Sequence, residues 1–222
     1  MKEIYFTGDN LEGQSRDLYQ QAVEISQQKV LEFKPLKSAL LVLDMQSYFL
    51  DASSHAYVPS SQAIVNGVRQ LIKAYCDHQL LIFFSQHINT PENAGMMSVW
   101  WKDLITPDHQ HHCIIPEIDP SVGTIIKKSQ YDAFHQTPLE EMLQTNGVTQ
   151  VVISGVMTHL CCETTARSAF MRGFQVFFLV DGTATYNLAY HRASLINLSH
   201  GFASLVFVKD ILSAIQGGHA DG

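Results

Sequence analysis

The chain has no long apolar run: nowhere does it approach the roughly 20 consecutive apolar residues that a membrane span needs, so no transmembrane helix is expected. Met1 to Asn10 carries Lys2, Glu3 and Asp9 and lacks an apolar core, which leaves no secretory signal in view. Basic residues are few, with 14 Lys and Arg against 21 Asp and Glu. The resulting charge of -7 and the absence of a Lys/Arg cluster argue against a nucleic-acid surface. Cysteine is scarce as well. Its four copies (Cys76, Cys113, Cys161, Cys162) are irregularly spaced and two are neighbours, so a reduced, cytoplasmic chain is expected rather than a disulfide framework. Repeats, low-complexity segments and an internal domain linker are all missing. What remains is a chain of 222 residues, 46% hydrophobic and 16% charged, with ample length for one packed core.

Apolar periodicity alternates between two kinds of segment. Leu18, Ala22, Ile25 and Leu31 predict an N-terminal amphipathic helix over 15–32, ending before Pro35. Strands are predicted at 38–43, 80–85, 124–128, 150–154, 175–180 and 205–208. Between them, helices are expected around 64–75, 138–144, 160–172 and 189–199. Apolar strands alternating with helices predict a parallel sheet covered on both faces, a three-layer α/β/α sandwich with a mainly parallel, Rossmann-like sheet. The expected division is an N-terminal helical extension, 1–35, and a catalytic domain, 36–222. A long, proline-bearing stretch from His87 to Val122 has little period, and loops of that length are usually functional.

Three residues stand at the carboxyl ends of predicted strands. Asp44 follows the first and Lys128 ends the third, while Cys161 lies just past the fourth, near the start of a helix. Carboxyl ends of parallel strands open on one edge of a sheet, where ligands bind. Helix-start N–H groups favour a thiolate at Cys161. Asp44 is placed to take the thiol proton, and Lys128 to hold the carboxylate and thiolate charged. The turn Gly155-Val156-Met157 offers main-chain N–H groups to a tetrahedral oxyanion. Such machinery suits hydrolysis of an amide-like carbon through a covalent intermediate on Cys161.

The segments Leu41-Val42-Leu43-Asp44-Met45-Gln46, Lys128-Ser129-Gln130-Tyr131-Asp132-Ala133-Phe134 and Gly155-Val156-Met157-Thr158-His159-Leu160-Cys161 resemble the three signatures of the isochorismatase-like cysteine hydrolases. The resemblance runs in order from about Leu36 onwards. It implies an Asp44–Lys128–Cys161 triad, a cis peptide before Met157 and an oxyanion hole from the N–H groups of Met157 and Cys161. It selects Lys128 over Lys127 and Cys161 over Cys162, with Cys162 a buried helix residue.

Nicotinamidase-type members carry a metal-binding Asp-x-His after the second strand. This chain reads Ser85-Gln86-His87-Ile88-Asn89 there, so no metal and no other cofactor is expected. Gln86 resembles the glutamine of true isochorismatases at that place. With Tyr131 and Trp100 it is the expected substrate-binding set, while His87 and Asn89 are read equally as substrate contacts or loop supports. His109-Gln110-His111-His112-Cys113 reads as a polar loop rather than a zinc site.

The expected function is cleavage of a C–N bond in a small carboxamide, ureido or carbamoyl compound by a homodimer or homotetramer. Its partner is the small-molecule substrate alone. One alternative is isochorismatase-type vinyl-ether hydrolysis, with Asp44 as acid and Cys161 idle. Another is a non-enzymatic binder or redox sensor.

Overall fold

The structure is a computed structural model describing residues 1–26, 29–101 and 103–217. Six strands form one sheet: β1 (Ser38–Leu43), β2 (Leu81–His87), β3 (Thr124–Lys128), β4 (Gln150–Val156), β5 (Gln175–Ala184) and β6 (Ser204–Val206). Their order is β3-β2-β1-β4-β5-β6, and every neighbouring pair is parallel. Every residue of β1 and β4 is buried, whereas the edge strand β3 exposes alternate residues, as its place in the sheet demands.

The helices are α1 (Leu11–Ser26), α2 (Ser47–Leu50), α3 (Ser61–Asp77), α4 (Met97–Trp100), α5 (Leu139–Thr145), α6 (Glu163–Met171), α7 (Leu188–Gly201) and α8 (Val208–Gly217). On one side of the sheet α3 packs against α8; on the other α6 packs against α7, giving a three-layer α/β/α sandwich. Helix α1 lies along α7 and reaches α8 through Glu12 and Lys209. Among the described residues no helix is long and apolar enough to cross a membrane.

Several boundaries differ from those predicted. Thr7 and Asn10 exchange hydrogen bonds, Thr7 N to Asn10 Oδ1 at 2.7 Å and Asn10 N to Thr7 Oγ1 at 3.3 Å, and start α1 a turn before Ser15. The helix ends at Ser26; residues 27 and 28 of the predicted span lie outside the described residues, as do 218–222 of the predicted domain. Asp181-Gly182 has turn chemistry, yet the chain there bulges and pairs again, so β5 runs on to Ala184. Helix α8 was not foreseen; Asp210 Oδ2 accepts from Phe207 N at 3.0 Å just before it begins. Among the described residues, the stretch from His87 to Val122 includes the short α4 and a 3-10 turn at Pro120–Val122, with little other regular structure.

The two central strands meet closely at their carboxyl ends. Leu43 pairs with Gly155, which has φ +107°. A Cβ on Gly155 would lie 2.0 Å from the Leu43 carbonyl oxygen, so only glycine lets β4 pass beside the residue before Asp44. Asp44 itself has φ 48°, a left-handed conformation that Asp tolerates better than most residues.

Candidate active site

Asp44, Lys128 and Cys161 converge at the carboxyl edge of the sheet. Lys128 Nζ lies 2.8 Å from Asp44 Oδ2, with both side chains fully buried, and 3.5 Å from Cys161 Sγ. Ser85 Oγ donates to Asp44 Oδ1 at 2.5 Å and accepts from Asp44 N at 3.1 Å, fixing the carboxylate on its turn. Lys128 also donates to the Gln130 carbonyl at 3.0 Å. Burial alone raises the Asp44 carboxyl. The Lys128 ammonium, with help from a hydrogen bond from the Cys161 thiol, outweighs it and holds Asp44 below its usual range. Burial likewise lowers Lys128, and the Asp44 charge more than restores it, so the pair is ionised.

Cys161 does not sit on a regular α-helix. Thr158–Cys162 form a π-turn, with Cys162 N donating to Met157 O at 3.2 Å, and α6 begins only at Glu163. Burial, then the Asp44 carboxylate, pushes the thiol above its ordinary value, against the pull of Lys128. The helix-start N–H groups expected to favour a thiolate do not offset this burial: Cys161 rests as a thiol beside an ionised carboxylate, with the proton that Asp44 is placed to take. Proton transfer from Sγ to Asp44 during attack is the chemistry this arrangement permits. The peptide Val156–Met157 is cis, as the resemblance implied. Cys162 is fully buried.

His87 completes the cluster. Asn89 Nδ2 donates to the Ser129 carbonyl at 2.9 Å, which turns its Oδ1 to accept from His87 Nε2 at 2.8 Å. The other ring nitrogen, Nδ1, then faces Lys128 Nζ at 3.5 Å as a lone pair. Burial and the adjacent ammonium lower His87 to about 4, so the ring is neutral. Asp44, His87 and Cys161 place ligand atoms within 4.8 Å of one another, a donor set for a metal ion. Lys128 Nζ, however, touches all three, and a divalent cation there would be pressed against an ammonium. These residues do not fit a metal.

Above Cys161 opens a cleft lined by Tyr48, Phe49, Trp101, Tyr131, Met157 and Tyr186 among others. Trp101 Nε1 donates to Tyr131 Oη at 2.8 Å, joining two of its walls. The rim carries Asp103, whose Oδ1 accepts from Tyr48 Oη and contacts His55 Nε2 at 2.5 Å.

Of the predicted residues, Asp44, Lys128, Cys161, Met157 and Tyr131 come together here. Gln86 and Trp100 do not. Gln86 lies one residue out of phase on β2, and its Nε2 donates to the His112 carbonyl at 3.0 Å, outside the cleft. His87, on the other face, takes the inward place. Trp100 is 75% exposed on the outer side of α4, and its neighbour Trp101 forms the wall. Sequence reasoning passed over Tyr48, Ser85 and Tyr186; alternation along β2 puts Ser85 with His87 and was the one usable signal.

Known proteins resemble this chain in sequence and in fold. The Isochorismatase domain model matches residues 38–210. Nicotinamidase 3 of Arabidopsis thaliana is 42% identical over 185 residues, covering 81% of this chain and 89% of the relative. Enterobactin synthase component B of Escherichia coli K12 is 30% identical over 196 residues, covering 86% and 68%. A cysteine hydrolase from Pseudomonas syringae pv. phaseolicola shares the fold, with a TM-score of 0.82 at 24% identity, covering 86% and 98%.

Proposed function

The chain belongs to the isochorismatase family of hydrolases, and on that premise we propose that it hydrolyses a small, planar, uncharged carboxamide through a thioester on Cys161. The observation that carries the reading is a buried thiol beside an ionised Asp44–Lys128 pair, at the base of an aromatic cleft.

Asp44 takes the thiol proton as Sγ attacks the carbonyl carbon, and the N–H groups of Met157 and Cys161 hold the oxyanion. Collapse breaks the C–N bond; Asp44 returns the proton to the leaving nitrogen, and ammonia departs. Asp44 then accepts a proton from water, which attacks the thioester, releases the carboxylic acid and restores the thiol. Lys128 keeps Asp44 ionised between these transfers.

Substrate charge is limited by the cleft walls. Among the described residues that line it there is no lysine or arginine, His87 is neutral, and Asp103 is acidic. Among the described lining residues a carboxylate-bearing ureido or carbamoyl acid finds no lysine or arginine to pair with, whereas a flat ring stacks on Trp101, Tyr131 or Tyr186. The 42% identity to a protein named a nicotinamidase points to a nicotinamide-type ring.

Vinyl-ether hydrolysis is the second reading, favoured by the 30% identity to Enterobactin synthase component B. It asks Asp44 to begin as an acid, and the Lys128 ammonium opposes that.

The test is ammonia release from nicotinamide, benzamide, ureido acids and carbamoyl acids, by the native chain and Cys161→Ala. Release from uncharged aromatic amides that vanishes in the variant, with hydroxamate formed when hydroxylamine is added, supports the proposal. Full activity in Cys161→Ala, or turnover of isochorismate alone, overturns it.

A further inference from the structure

Residues 2–6 lie outside the stretch matched by the family model, yet they touch two walls of the cleft. Lys2 Nζ donates to the His55 carbonyl at 2.5 Å and sits 4.5 Å from the centre of the Tyr186 ring. Glu3 N donates to the Tyr186 carbonyl at 2.8 Å, and Glu3 Oε1 accepts from Leu188 N at 2.6 Å. Tyr5 Oη accepts from Thr185 N at 2.9 Å. On the other side, Tyr5 N and Phe6 N donate to Ser60 Oγ at 2.9 and 3.1 Å. Tyr5 and Phe6 are themselves buried and anchor the segment.

The segment thus ties the loop after β5 (185–187) to the stretch between α2 and α3 (51–60). Both contribute to the cleft, through Tyr186 and Ala56. In the sheet, β4 lies between β1 and β5, so this tie crosses the strand that delivers Met157 and Cys161. Lys2 is its one charged contact with a cleft aromatic: the negative face of the Tyr186 ring attracts the ammonium, and the His55 carbonyl holds the ammonium over it.

We propose that Lys2 is a positioning residue for substrate recognition: by clamping the Tyr186 ring against the His55 loop, it sets the wall on which the substrate stacks. This rests on the proposed amide hydrolysis. The N-terminal segment is then part of the specificity apparatus rather than a cover on the fold.

A double-mutant cycle on the full chain tests it, with nicotinamide and benzamide as probes. Lys2→Met keeps the aliphatic stem and loses the charge; Lys2→Arg keeps the charge. Lys2→Met is expected to raise KM by about 3- to 10-fold with kcat within about twofold and an unchanged melting temperature, and Lys2→Arg to restore KM. Tyr186→Leu should raise KM further, and adding Lys2→Met to it should change nothing more. An unchanged KM in Lys2→Met, or effects of Lys2 and Tyr186 that multiply independently, overturns the proposal.

Alkylation by iodoacetamide, followed by mass spectrometry of the peptide that carries Cys161 because Cys76 and Cys113 are exposed and react as well, reads the same clamp without any turnover. Both single variants should alkylate faster than the native chain, and the double variant no faster than Tyr186→Leu. Native-like alkylation of Lys2→Met rejects the clamp even if the amide reaction is real. Absence of ammonia release with a non-additive alkylation pattern rejects the proposed reaction and keeps the clamp.

Discussion

Lys128 Nζ and Asp44 Oδ2 lie 2.8 Å apart with neither side chain exposed to solvent. Each charge is tolerable there only because of the other, since desolvation works against both. Lys128→Met should therefore destabilise the fold by about 3–5 kcal/mol, because it strands a buried carboxylate. Lys128→Met with Asp44→Asn should recover most of that loss while staying inactive. Urea midpoints of the two variants decide it; a double variant no more stable than Lys128→Met would contradict the account.

Trp100 and Trp101 are neighbours in sequence and opposites in environment. Trp101→Ala removes a cleft wall and the donor to Tyr131 Oη, and should raise KM for an aromatic amide about tenfold, with a smaller effect on kcat. Trp100→Ala, at a 75% exposed position, should leave both within about twofold. Steady-state kinetics of the two variants separate a wall from a surface residue.

Gly155 sets how closely β4 approaches β1. Gly155→Ala meets the Leu43 carbonyl at 2.0 Å in a backbone conformation that L-residues avoid. Overpacking of this kind costs about 1–3 kcal/mol or more, and here it pushes Asp44 and Met157 apart. The variant should melt several degrees lower and lose activity beyond what its folded fraction explains.

These contrasts also mark how far the sequence could be read. Asp44, Lys128 and Cys161 were legible because each ends, or closely follows, a strand that is apolar enough to recognise, and parallel strands bring such ends together. The choice between Gln86 and His87 turns on the phase of a strand, where one residue reverses the face. Trp100 is the last residue of α4 and Trp101, φ -99° and ψ 155°, has already left the helix in an extended conformation, and a helix of four residues shows no period from which that end could be read. Tyr186 and Lys2 depend on contacts across most of the chain, for which no local pattern exists. The burial that opposes a thiolate at Cys161 comes from packing across the chain, which no local pattern around the residue displays.

Acid should unfold the chain earlier than its carboxylates alone would. Burial lowers His191 to about 3 and His159 to about 4; burial and Lys128 lower His87 to about 4. Unfolded histidines titrate near 6.5, so the folded chain binds these protons more weakly. The stability they contribute is complete above about pH 6.5 and is lost as pH falls through 6.5 toward the folded values. For fully buried His191 the loss at pH 5 is about 2 kcal/mol, which corresponds to a melting-temperature drop of about 4–8 °C in a chain this long. Asp181 works the other way: burial raises it to about 6, so the stability it contributes is complete below about pH 3.9 and lost as pH rises through 6. Three histidines against one carboxyl leave a net fall. Melting temperatures between pH 7 and 5 should drop in the native chain, drop less in His191→Gln, and drop more in Asp181→Asn. A native melting temperature flat across that range would show that the buried imidazoles are protonated at little cost.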